Sequence, residues 1–184
     1  MRNQVRIVGG VWRSRRLKFP ATADVRPTPD RVRETLFNWL GQRLEGLACL
    51  DLYAGSGALG FEAASRGAAS VVMVEQDPRV MRALEESRQL LGANMVEVVP
   101  ADALAFLASD RRDFDVVFLD PPYRLGLLPK LLAALPSHLR RDARVYLEAP
   151  QPPDIPAGYT LLRRGRAGRV QCLLLQWRAD EKPL

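Results

Sequence analysis

From residue 47 to residue 149, short apolar runs alternate with longer segments whose apolar positions recur every three or four residues. The runs LACLDLY (47–53), SVVMVE (70–75), MVEVVP (95–100), FDVVFLD (114–120) and RVYLEA (144–149) predict strands, because near-continuous apolar stretches of this length suit strands covered on both faces. Between them, ALGFEAASRG (58–67), PRVMRALEESRQLLG (78–92) and segments near 103–109 and 127–135 predict helices. Gly67 and Gly92 supply stops and Pro78 a start. Such alternation implies right-handed crossovers and therefore an α/β fold built on a doubly wound, mostly parallel sheet.

Both ends break the alternation. YTLLRR (159–164), the turn GRAG (165–168) and RVQCLLLQW (169–177) predict an antiparallel hairpin that closes one sheet edge, after a proline-rich loop over 150–157. At the front, VRIVGG (5–10) and SRRLKFP (14–20) predict a second hairpin. A helix follows, with Thr28 as its N-cap, Pro29 at its first position and Val32, Leu36, Trp39, Leu40 and Leu44 on its apolar face. The 184 residues suit one domain: an N-terminal hairpin and helix over 1–45 attached to a core over 46–184.

Composition fits a soluble globular protein, at 47% hydrophobic residues with no apolar run of membrane-spanning length, and no apolar h-region follows Arg2 and Arg6. A cytoplasmic protein is expected. Cys49 and Cys172 fall inside strand-like runs, which suits buried thiols, and one histidine with two distant cysteines speaks against a zinc site. No metal is expected.

Charge changes the picture more. Residues 1–43 hold ten arginines and lysines against three acids, so this quarter carries +7 while the whole chain carries +6. A solvated basic face is one reading; a polyanion partner is favoured by the concentration of the excess, with Arg13, Arg15, Arg16, Arg31 and Arg33 as its candidate contacts. Lys130, His138 and the arginines of 163–169 read as surface residues, the latter able to extend a nucleic-acid footprint.

The first core strand runs into DLYAGSGALG (51–60), in which Gly55, Gly57 and Gly60 fit G-x-G-x-x-G, and Glu75 ends the next strand twenty residues beyond Gly55. Glycines there let backbone approach a ligand, and the spaced acid can accept both hydroxyls of a ribose. Asp51 then discriminates between ligands. A carboxylate four residues before Gly55 repels the pyrophosphate of a dinucleotide, whereas it suits the sulfonium and ammonium of S-adenosylmethionine. Asp102, ending the third strand in PADA, is placed to receive an adenine amino group and also to cap the next helix.

The run VVFL (116–119) ends on DPPYR (120–124). Proline has no N–H for a sheet ladder, so Pro121 and Pro122 lie past the strand end in a stiff loop that projects Asp120, the prolyl carbonyls and the Tyr123 ring. Taken alone, the stretch is equally a strand terminator.

Together these motifs resemble the class I S-adenosylmethionine-dependent methyltransferases, whose core is Rossmann-like. More narrowly, RIVGGVWRSRRL, RPTPDRVRETLFNWL, DLYAGSGALGFEAASRGA and DPPY resemble the RsmD family of 16S ribosomal RNA guanine-N2 methyltransferases, over about residues 5–180. The resemblance implies methyl transfer from S-adenosylmethionine to the exocyclic N2 amine of one guanine in 16S ribosomal RNA or the small subunit. It also implies cofactor contacts at Asp51, Tyr53, Ala54, Gly55, Ser56, Gly57, Glu75, Gln76, Asp102 and Ala103, and a catalytic loop of Asp120, Pro121, Pro122 and Tyr123. A monomer without a membrane partner is expected. Adenine-N6 and protein-glutamine methyltransferases use a similar loop on other planar amines, so DPPY does not separate them; a non-catalytic RNA-binding assembly factor is the alternative of another class.

Overall fold

The computed structural model describes residues 2–21, 25 and 27–178. Among these, strands β1 (Arg2–Arg6) and β2 (Arg16–Pro20) form an antiparallel hairpin, and helix α1 (Asp30–Leu40) follows. Then come β3 (Ala48–Asp51), α2 (Ala58–Ser65), β4 (Ser70–Glu75), α3 (Pro78–Leu91), β5 (Val96–Pro100), α4 (Ala103–Ser109), β6 (Phe114–Leu119), α5 (Leu128–Ala134), β7 (Leu139–Ala149), β8 (Tyr159–Ala167) and β9 (Val170–Trp177). The seven-stranded sheet has the order β5-β4-β3-β6-β7-β9-β8. Its first five strands are parallel, and β9 joins β7 antiparallel, with β8 on the edge. This is the doubly wound sheet with a closing hairpin that the sequence predicts. The chain reverses direction of winding between β3 and β6, so the crevice beyond their carboxyl ends is where such a sheet binds ligands.

Strand alternation sends side chains to two cores. Cys49, Val71, Met73, Val116, Phe118 and Tyr146 face one layer with α1 to α3 and the β1–β2 hairpin. Leu50, Val72, Val74, Val117, Leu119 and Leu147 face α4 and α5. Val5, Ile7, Leu17 and Phe19 of the N-terminal hairpin belong to the first core, beside Phe61, Val80 and Leu84. No helix among the described residues is long and apolar enough to cross a membrane.

A buried ionic cluster fastens the front of the chain to this frame. Glu62, fully buried on α2, accepts hydrogen bonds from the N–H groups of Val8 (2.9 Å) and Gly9 (2.7 Å), from Arg33 Nη1 (3.1 Å) and from Arg66 Nε (2.9 Å). Arg33 also donates to the Thr28 carbonyl (3.0 Å) and to Asp30 (2.5 Å), which in turn holds Arg6 (2.8 Å). The paired glycines of VRIVGG have a steric reason as well. Gly10 has φ +74°, and a Cβ there would lie 1.9 Å from the Ser65 carbonyl oxygen.

Several expectations change. Arg33 is not an RNA contact: it has no exposed surface, because its guanidinium completes the Glu62 cluster. Thr28 does not cap α1; Pro29 occupies the cap, and the Thr28 hydroxyl turns instead to Glu148. On α1, Phe37 is fully buried and Val32 and Trp39 only partly so. His138 lies buried, its ring nitrogens 3.1 Å and 2.8 Å from the carbonyls of Arg112 and Leu107.

Candidate active site

The carboxyl ends of β3, β4 and β6 open on a cavity of about 390 Å³ lined by Asp51, Tyr53, Gly55, Glu75, Asp102 and Asp120 among others. The residues expected to hold a cofactor therefore meet in one place with Asp120 and Pro122 of the DPPY loop, whereas Pro121 and Tyr123 lie outside the lining. Ala54, Ser56, Gln76 and Ala103 share the lining, whereas Gly57 lies behind it as the first residue before α2. Gly57 has φ +78°, and a Cβ on it would come within 2.6 Å of Phe61 and 2.8 Å of Leu84, so only glycine lets the turn pack there.

The acids do more than line the wall. Asp51 accepts from the Gly60 N–H (3.1 Å) inside the first turn of α2. Glu75 accepts from Gly55 N–H (3.1 Å) and from the N–H groups of Gln76 and Asp77 (both 2.8 Å), so it shapes the glycine loop and the entry to α3. Asp102 caps α4 through Leu104 N–H (2.9 Å) and Ala105 N–H (3.0 Å). Tyr53, which lines the cavity, has its Oη buried without a hydrogen-bond partner among the described residues.

Register sets three carboxylates side by side. Asp51 pairs with Phe118, and Leu119 with Leu147, so Asp120 and Glu148 follow one residue beyond, with Glu148 beside Cys172 of β9. All lie on the sheet face shared with Phe118, Tyr146 and Cys172. Burial lifts the Asp51 carboxyl to about 7, against the stabilising N–H groups of Tyr53 and Gly60. Burial, then the charges of Glu148 and Asp51, pushes Asp120 well above the usual carboxylate range. Burial raises Glu148 too, although the hydroxyls of Tyr146 (2.9 Å) and Thr28 (3.1 Å) donate to it. Of the cavity's arginines, Arg79 is already committed to Asp77 at 2.8 Å. A row of desolvated acids is costly by itself and becomes favourable around a cationic ligand.

Beyond β6 the loop turns as the two prolines require. Tyr123–Leu125 forms one 3₁₀ turn, and Tyr123 is 42% exposed, so its ring is open to a partner. The Pro122 carbonyl is not free as expected: it accepts from Leu125 N–H at 3.0 Å.

Residues 5–176 match the family described as Conserved hypothetical protein 95. The chain is 42% identical to ribosomal RNA small subunit methyltransferase D of Escherichia coli (strain K12) over 182 residues, covering 96% of this chain and 92% of that one. The protein of the same name from Haemophilus influenzae is 39% identical over 183 residues, covering 95% of each. The chain belongs to the RsmD family of methyltransferases. A solved structure from Escherichia coli, the putative methyltransferase yhhF, superposes with TM-score 0.87 at 43% identity, covering 97% of this chain and all of that one. The RsmD-type front block thus has a structural meaning in this chain, because it brings Val25 and Thr28 to the cavity.

Two residues of the site escaped the sequence reading. Glu148 was hidden inside the strand run RVYLEA, and Thr28 behind its fitness as a helix cap. The basic residues divide. Arg15 reaches the Leu90 carbonyl (3.3 Å), and the neighbouring Trp12 N–H bonds Ser65. Both partners lie at the carboxyl ends of their helices, roughly 10–20 Å from the site at 1.5 Å per residue. The exposed Arg13, Arg15 and Arg16 are therefore at the far end of the sheet from DPPY. Arg31, by contrast, lines a cleft of about 60 Å³ with Trp39, Tyr146, Arg166 and Cys172, the last of which feels the charges of Glu148 and Asp120.

Proposed function

We propose that the whole chain acts as one cytoplasmic methyltransferase domain, monomeric, which transfers a methyl group from S-adenosylmethionine to the N2 amine of a guanine in small-subunit ribosomal RNA. The observation that carries this reading is the convergence of a cation-seeking acidic cavity with the DPPY loop in a chain 42% identical to a small-subunit ribosomal RNA methyltransferase. S-adenosylmethionine supplies an activated methyl group whose leaving group is already good. The chain's own work is then alignment and electrostatic support. Asp51 meets the cationic end, Glu75 the ribose and Asp102 the adenine amine. A guanine amine is a weak nucleophile because its lone pair is delocalised into the ring. The Asp120 carboxylate and the Pro121 carbonyl accept its two hydrogens and turn the lone pair toward the methyl group, while the exposed Tyr123 ring stacks on the withdrawn base.

The Asp51 assignment has a pH signature. A cation prefers the ionised carboxylate, which is populated above about pH 7. Affinity for S-adenosylmethionine should therefore fall as pH drops through 7, by up to about tenfold per unit, the limit for one linked proton. In Asp51→Asn the affinity should be low and this slope absent. Calorimetry between pH 5.5 and 7 checks it; a flat wild-type affinity would remove Asp51 from contact with the cation.

For the RNA, the two basic groups should behave differently. Replacing Arg13, Arg15 and Arg16 by alanine should weaken binding and make the salt dependence of log K shallower by about 0.7 for each phosphate no longer neutralised. The single-turnover rate at saturating RNA should stay near wild type. Replacing Arg31 and Arg166 should lower both affinity and that rate, since they flank the reacting base. Filter binding across a salt series with single-turnover assays separates the two; unchanged affinity and slope in a variant mark its arginines as a solvated face.

A further inference from the structure

We propose that Glu148 is a positioning residue of the methyl-transfer site, a charged neighbour held in place by Thr28 and Tyr146 that keeps the Asp120 carboxylate basic when the guanine amine arrives. The inference rests on the methyl-transfer reading above and extends it to a residue outside the DPPY loop.

The argument is geometric. Leu119 and Leu147 are paired on adjacent parallel strands, so the residues that follow them project from the same sheet face one strand spacing apart. Glu148 is 7% exposed and receives two hydroxyl donors, Tyr146 Oη at 2.9 Å and Thr28 Oγ1 at 3.1 Å. The Tyr146 and Thr28 hydroxyls go to Glu148 and not to Asp120. The two neighbouring acids, Glu148 buried and Asp120 half-buried, therefore differ in kind. The two hydroxyls favour the charged form of Glu148 against the burial that raises its pKa, and Asp120 receives neither of them. The groups facing the pair are Asp51 from β3, Tyr146 from β7, Cys172 from β9 and Tyr123 from the loop itself, and Arg124 of that loop lines the cavity with Asp120. Burial and the Glu148 charge both act to raise the proton affinity of Asp120.

In the reaction, the amine nitrogen's lone pair forms the new N–C bond as the S–C bond breaks and its electrons stay on sulfur. The methylated amine is then positively charged and loses one N–H proton to Asp120, whose carboxylate becomes a carboxylic acid and later returns the proton to water. A more basic acceptor accepts the amine hydrogen more strongly along this path. Thr28 gives the RPTP segment a function here: Arg33 donates to the Thr28 carbonyl, which fixes the segment while the hydroxyl serves Glu148.

The test reads Asp120 directly. Side-chain carboxyl carbons of the ligand-free protein are followed by ¹³C NMR as pH is varied, in wild type, Glu148→Gln and Thr28→Val. The glutamine keeps an oxygen for both hydroxyls but removes the charge. The Asp120 titration in Glu148→Gln should move to lower pH, and the acid limb of the single-turnover rate should move with it. At pH 8 the variant's rate should be about threefold below wild type, with the deficit shrinking as pH falls, while S-adenosylmethionine affinity stays within about twofold. In Thr28→Val the Glu148 titration should move to higher pH. An Asp120 midpoint unmoved in a folded Glu148→Gln protein would overturn the proposal. Because the titration needs neither RNA nor methyl transfer, failure of the wild type to methylate ribosomal RNA would count against the function proposed above and leave this result to stand or fall by itself.

Discussion

Asp120→Ala is expected to lower the single-turnover rate of methyl transfer by about 10²-fold or more while leaving the fold and S-adenosylmethionine binding nearly intact. One lost preorganised acceptor is worth around 3 kcal/mol at a transition state, which sets the magnitude. Binding survives because the cofactor's proposed contacts, Asp51, Glu75 and Asp102, stand on β3, β4 and after β5, and Asp120 alone ends β6. Removing a half-buried carboxylate that has a like-charged neighbour also relieves repulsion, so the variant should be no less stable than wild type. Asp120→Asn should fall less, since its amide oxygen still accepts one amine hydrogen. Tyr123→Phe should be mild and Tyr123→Ala severe, because the ring face is proposed to hold the base. Single-turnover rates in that order, alongside calorimetry of cofactor binding, check the scheme. An Asp120→Ala enzyme that transfers methyl groups at the wild-type rate would reduce DPPY to a strand terminator.

The second large effect is on stability. Arg33→Met should lower the melting temperature by roughly 6–20 °C. Removing one partner of a buried ion pair costs about 3–5 kcal/mol, and each kcal/mol shifts a chain of this size by about 2–4 °C. The guanidinium is fully buried and bonds Glu62, Asp30 and the Thr28 carbonyl through three different nitrogens. Methionine fills much of the space and replaces none of those donors. Arg33→Lys should lie between, because an ammonium lacks the planar fork that reaches three directions. Arg16→Met, at an exposed arginine of the same basic segment, should leave melting within about 2 °C. Circular dichroism melts measure all three; an Arg33→Met curve that overlays wild type would show the Glu62 cluster to be dispensable.

That arginine marks where the sequence was legible and where it was not. Strand 70–75 and helix 103–109 stand where the pattern of apolar residues sets them, since continuous burial leaves an unbroken apolar run and Asp102 announces its helix. The DLYAGSGALG loop was equally readable: positive φ at Gly55 and Gly57 is a demand that few residues but glycine meet. Burial of a charge leaves no such trace. Arg33 differs from Arg31 only through Glu62, which lies 29 positions away in sequence. The start of β7 was missed for a related reason: Arg140, Arg141 and Asp142 are exposed, and a register shift interrupts the ladder between Phe114 and Val116. Glu148 was read only as part of an apolar run, because its neighbour Asp120 comes from another strand. The basic segment was recognisable as a charge excess, yet which end of the sheet each arginine occupies depends on where the N-terminal hairpin packs against α2 and α3.

The central claim is methyl transfer to guanine N2 in small-subunit ribosomal RNA. Its most direct test uses small subunits from a strain deleted for this gene, incubated with the purified protein and methyl-labelled S-adenosylmethionine, then digested to nucleosides and separated. The account predicts label in small-subunit RNA as N2-methylguanosine, near one methyl per subunit, absent with Asp120→Ala and absent on subunits from the undeleted strain. Label in another nucleoside, label in protein, or no label from a protein that binds the cofactor would contradict it.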